Sequence, residues 1–171
     1  MSIVAVLPFS IRCQAGFNAQ ISAEMQAFYQ YRAISYYFSR HDVAFKNVAA
    51  KFYAMAQEEL EHADVLSRYL QSRGGIITHA VLQAPEAIEM KSLIQAFEYA
   101  LGMEKSIHVQ LRALDQMATD ENEPHCAAFL QDTFLTEQIT AEDELMRVIA
   151  TLKRMGPGLG EQLFDQGLAV R

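Results

Sequence analysis

Phe45-Lys-Asn-Val-Ala-Ala-Lys-Phe-Tyr-Ala-Met-Ala-Gln-Glu-Glu-Leu-Glu-His-Ala-Asp-Val-Leu-Ser-Arg-Tyr69 decides the fold. Read in alternating steps of three and four, it yields Phe45, Val48, Phe52, Met55, Glu59, His62, Leu66 and Tyr69, a seam along one helix face. Gly74-Gly75 stops the pattern, so the spacing predicts a helix over 46–73. Working outward, the same ruler gives Phe17, Ile21, Glu24, Phe28, Tyr31, Ser35 and Phe38, a helix over 11–39. Beyond the stop it gives Ile94, Phe97, Leu101, Glu104, Ile107, Leu111, Leu114 and Ala118, a helix over 92–120. From Phe134 it gives Gln138, Ala141, Leu145, Val148, Leu152 and Met155, a helix over 125–155. Pro124 suits a first helical turn, and Gly156-Pro-Gly158 separates this helix from a short amphipathic one over 159–168.

Four helices of this length are each about 42 Å long, and no segment alternates with the period of a strand. The expected fold is an all-α four-helix bundle within a single domain spanning 1–171. Short connections make the first and last pairs antiparallel. Residues 74–91 can reach about 59 Å when extended, enough to run the length of the bundle, so the second and third helices should be parallel. A net charge of −7 argues against a nucleic-acid surface and favours cationic partners. No apolar run approaches the ~18 residues of a membrane span. The apolar opening lacks a basic residue before it and is interrupted by Pro8, which argues against a cleaved leader. Two distant cysteines, Cys13 and Cys126, suit a reducing compartment, so a cytoplasmic location is expected.

Three seams carry a carboxylate at mid-helix where a leucine would serve: Glu24, Glu59 and Glu104. The fourth carries Gln138 at the same height. Buried carboxylates cost several kcal/mol unless protonated, paired or bound to a cation, and no Lys or Arg shares these seams. A lone buried Glu or His is usually a hydrogen-bonded core residue. Here four helices bring polar groups to one level, and His62 follows Glu59 by one turn. Glu-x-x-His on an inward face is the device of di-iron carboxylate bundles. One iron would take Glu24, Glu59 and His62. The other would take bridging Glu59 and Glu104 with only a neutral amide near it, because Gln138-Ile-Thr-Ala141 replaces a second Glu-x-x-His. That iron should be held loosely and exchange. Tyr31, two turns beyond Glu24, points its hydroxyl toward this layer, either for redox chemistry or as a structural partner of Glu59 or Glu104.

At these residues the sequence resembles ferritin, specifically the animal-type heavy chain. The likeness runs from about Asn18 to Asp165 and is densest at Ser35-Tyr-Tyr-Phe38, Glu58-Glu-Leu-Glu-His-Ala63, Arg73-Gly-Gly75, Ala118-Thr-Asp120, Glu137-Gln138 and Leu163-Phe-Asp165. The resemblance implies ferroxidase ligands at Glu24, Glu59, His62 and Glu104, with Gln138 and Tyr31 beside them. It also implies two Fe(II) per subunit as transient substrate, O2 or H2O2 as oxidant, and a mineral-filled homo-oligomeric shell of 24 subunits with octahedral symmetry. No haem is expected, since Leu60 stands where bacterioferritin has a ligating Met. Glu58, Glu61 and Asp64 match the family's mineral-nucleation acids; a solvated acidic face is the alternative.

Two departures qualify the likeness. The acids of the three-fold iron channel fall on Ala128 and Gln131, and Gly167 stands in the last helix where animal chains often have His. Asp120, Glu121, Glu123 and Asp132 lie close by in sequence, so a displaced acidic funnel is the expectation for iron access.

Overall fold

The computed structural model describes residues 8–85 and 90–168. The apolar opening therefore lies outside the described residues up to position 7, as does part of the long crossover. The elements are α1 (Ile11–Ser39), α2 (Lys46–Ser72), α3 (Leu93–Asp120), α4 (Pro124–Leu130), a π-helical turn (Gln131–Leu135), α5 (Thr136–Met155) and α6 (Leu159–Leu168). Among the described residues there is no strand. The last long helix is thus a composite of α4, the π turn and α5.

The predicted stops hold for chemical reasons. Gly74 adopts φ 77 and Gly75 N–H donates to Leu70 O at 2.9 Å, closing α2 with the double bond pattern that a left-handed residue permits. Pro124 opens α4, where its missing N–H is no loss. Ser92 Oγ accepts from Gln95 N–H at 3.2 Å to cap α3. By contrast Phe45, at the head of α2, offers no side-chain cap. Its place is taken by Asp165 of α6, whose Oδ1 accepts from Asn47 N–H at 3.0 Å and Val48 N–H at 2.8 Å. Glu161 of α6 likewise accepts from Leu93 N–H at 2.8 Å at the start of α3.

The crossover runs along α1 from one end to the other. Asn18 binds Ile76 O and Thr78 N–H, Gln26 exchanges two bonds with Gln83, and the Tyr37 hydroxyl donates to Met90 O. Those anchors span nineteen helical residues, about 28 Å. They carry the chain back so that α3 starts at the same end of the bundle as α2, as the parallel arrangement requires.

The interior falls into two apolar halves. One is built around Phe17, Leu66, Tyr69, Leu111, Leu130 and Phe134, the other around Phe38, Phe52, Leu93, Phe97, Leu152 and Phe164. Between them lie the buried polar groups Glu24, Glu59, Glu104 and Gln138. The π turn brings the last of these in. Leu130, Phe134 and Gln138 are spaced by four and all buried, and Thr136 N–H reaches back to Gln131 O across five residues.

Candidate metal centre

Each helix delivers one polar side chain to the layer because each seam substitutes it for an apolar residue at mid-length. Glu24 is completely buried, and Glu59, Glu104 and Gln138 nearly so. One donor atom each from Glu24, Glu59 and His62 lies within 4.8 Å of the others, so these three residues can hold one ion. Among the described residues no Lys or Arg pairs with Glu24 or Glu59. Gln20 Nε2 donates to Glu24 Oε1 at 2.7 Å, but Glu24 Oε2 has no donor at all. An orphaned, buried carboxylate oxygen aimed into a three-donor cluster fits a missing cation.

The electrostatics agree with that geometry. Burial, then the charge of Glu59, holds the Glu24 carboxyl well above the usual carboxylate range. Burial, then the charge of Glu104, does the same to Glu59. Without a dication the pair keeps protons that an ion would displace. His62 presents Nδ1 to Glu59 Oε2 at 3.4 Å and Nε2 to Glu137 Oε2 at 3.3 Å. Glu137 therefore fixes the ring from outside, leaving Nδ1 for the cluster.

Glu104 sits differently. Its Oε1 accepts from the Tyr31 hydroxyl at 2.6 Å and its Oε2 from Gln138 Nε2 at 2.6 Å. Tyr31 is fully buried, and burial, then the Glu104 charge, holds its phenol well above the ordinary range, so it is a neutral donor. Of the two partners considered for Tyr31, the structure selects Glu104. Beside Glu104 lies a cavity of about 100 Å³ lined by Lys51 and Glu58 of α2 and by Ala141 and Glu144 of α5, among others. Glu58, Glu61 and Asp64 are exposed on α2, with Glu61 accepting from Arg68 at 2.7 Å.

Residues 14–155 match the family described as the ferritin-like domain. The chain is 39% identical over 153 residues to the soma ferritin of Lymnaea stagnalis, covering 90% of this chain and 88% of that protein. It is 38% identical over 158 residues to the ferritin-2 heavy chain of Schistosoma mansoni, covering 92% of each. The chain belongs to the ferritin family. Within it the likeness is to animal ferritins, as the motifs around Glu59 and His62 implied.

At the α3–α4 corner two of the four acids expected to line a displaced funnel are ion-paired. Glu121 binds Arg12 at 2.7 Å and also accepts from Ser10; Glu123 binds Arg73 at 2.7 Å. Gln131 is tied to Asp115 at 2.8 Å, and Ala128 and Gln131 line an open cavity of about 320 Å³ whose one carboxylate is Glu123. The charge that would draw cations here is reduced to Asp120 and Asp132. Gln20 carried no signal of its own beyond its four-residue step to Glu24, and Glu137 was quoted only as part of the Glu137-Gln138 motif, without a role.

Proposed function

We propose that this chain is a catalytic iron-storage subunit, a ferroxidase acting in a cytoplasmic homo-oligomeric shell of 24 subunits. Glu24, Glu59 and His62 bind the first Fe(II), with loss of the protons the two carboxyls hold. Glu59 bridges to a second Fe(II) at Glu104. The two ions give one electron each to O2, which takes up two protons to form H2O2, or to H2O2, which takes up two protons to form two waters. Ferric product leaves by the cavity beside Glu104 and Ala141 toward Glu58, Glu61 and Asp64, and mineral grows in the shell. No haem takes part.

The observation that carries this reading is the orphaned Glu24 Oε2 inside a three-donor cluster without a counter-cation. Two carboxylates and an imidazole suit a first-row divalent ion such as Fe(II). The family and the heavy-chain name of one relative point the same way. Stopped-flow oxidation at two Fe(II) per subunit tests it. A fast burst that recurs with each addition is expected. Absence of a burst would make the chain a passive shell subunit, and a permanently retained iron pair would make it a resident-cofactor oxidase.

A further inference from the structure

The centre uses one edge of the His62 ring; the other side of that ring begins a chain of aromatic contacts. His62 meets Phe134 edge-on with centroids 5.5 Å apart, and Phe134 meets Phe129 edge-on at 5.7 Å. Phe129 lies flat on Tyr69 at 4.0 Å and 11°, and Tyr69 is parallel to His125 at 5.8 Å and 10°. Tyr69 follows His62 by two turns of α2, roughly 10.5 Å along the axis. It is buried, whereas His125 is exposed.

The far end of this chain is equipped for chemistry. Arg73 Nη1 donates to the Tyr69 hydroxyl oxygen at 3.1 Å, and the same hydroxyl meets His125 Nδ1 at 3.1 Å. With the guanidinium occupying a lone pair, the hydroxyl can give its hydrogen to His125 Nδ1 when that nitrogen carries none, and the buried Cys126 thiol also hydrogen-bonds this hydroxyl. Packing alone accounts for stacked rings. It does not account for a buried phenol supplied with a base that reaches solvent. Tyr31 is the opposite case: its hydrogen goes to Glu104, itself buried, and has no such outlet.

We propose that Tyr69 is a redox tyrosine, donating an electron to the iron site through the Phe129, Phe134 and His62 rings; this rests on the di-iron reading above. The phenylalanines are not oxidised; they fill the gap across which the electron tunnels. The need arises when H2O2, a two-electron oxidant, meets a site holding a single Fe(II). Iron supplies one electron and a hydroxyl radical would be left. Tyr69 supplies the second, its proton passing to His125. The sum is Fe(II), tyrosine, H2O2 and one proton giving Fe(III), a neutral tyrosyl radical and two waters. A loosely held second iron makes the singly loaded site a recurring state, which is where such a donor acts.

The test is to load the assembled protein with one Fe(II) per subunit, add H2O2 and freeze-quench for electron paramagnetic resonance. Wild type and Tyr31→Phe should give a tyrosyl radical, and Tyr69→Phe should lose it. His125→Gln, at an exposed position, should slow its appearance. Tyr69→Phe should instead release hydroxyl radical, caught by a spin trap at up to about one per peroxide, where wild type releases little, as the balance above requires. Phe134→Leu keeps the phenol and should lower the radical yield by widening the gap. A radical that survives Tyr69→Phe, or vanishes only in Tyr31→Phe, overturns the proposal, as does a wild type without one. The two readings fail separately. If wild type shows no fast O2-dependent burst at two Fe(II) per subunit, the di-iron reading falls and the relay with it. With a normal burst and no Tyr69 radical, the relay alone is wrong.

Discussion

On one side of the polar layer, Glu24, Glu59 and His62 face one another without a cation, and one carboxylate oxygen lacks any donor. On the other side Glu104 is just as deeply buried, but Tyr31 and Gln138 already satisfy both of its oxygens. The same cost of burying a carboxylate is met in two ways, by protons that a bound ion would displace and by hydrogen bonds. A hydrogen bond to a charged group contributes about 1.5–3 kcal/mol. An ion arriving at Glu104 must displace or share such bonds, whereas one arriving at Glu24 relieves an unsatisfied atom. The difference teaches that ligand count is not the whole of affinity: in the proposed function a second ion would be held weakly both for want of a ligand at Ala141 and for what Glu104 gives up.

The sharpest way to break this contrast is at the shared residue and its imidazole partner. Glu59→Ala and His62→Ala should each reduce rapid Fe(II) oxidation by ~100-fold or more, since even outer partners of ligands cost about 10–100-fold. Gel filtration should still show an assembled particle, and wild-type bursts in either variant would remove the site assignment. Glu104→Ala should separate the two sides. Anaerobic titration with Co(II), a spectroscopic stand-in, should find the first equivalent retained and the second lost. Equal loss of both would mean the two positions do not differ as described.

Ala141→His should narrow the difference, raising affinity for the second ion by about tenfold, or 1.4 kcal/mol, and slowing turnover because product is retained. Calorimetry showing no gain would leave the hydrogen bonds of Glu104 as the sole cause. The smallest effect belongs to Tyr31→Phe, which strips one donor from Glu104. Urea unfolding of the metal-free protein should show about 1–3 kcal/mol less stability, with a smaller deficit once a divalent ion is bound. An identical loss with and without metal would show that the ion never reaches Glu104.

Much of this was legible in the heptad seams. The expected and observed starts and stops differ by at most one residue at each end, because Gly74, Pro124 and Gly156 act locally and override nothing. Glu24, Glu59 and Glu104 stood out because a charge on an apolar seam has no cheap explanation. The π turn did not, since a run of two four-residue steps from Leu130 to Gln138 is tolerated by an ordinary helix pattern. The partners of the α3–α4 acids were also hidden. Arg12 and Glu121 are 109 positions apart, and no local pattern encodes such a pairing.

The crossover has an electrostatic consequence that the capping bonds of α6 resolve. Making α2 and α3 parallel sets two helix N-termini at the same end of the bundle, each carrying roughly half a positive charge. Asp165 and Glu161 place a carboxylate on each, and a charge so placed contributes about 0.3–2 kcal/mol. The short last helix is therefore a counter-ion carried on the chain itself, which balances the dipoles that the long connection has aligned.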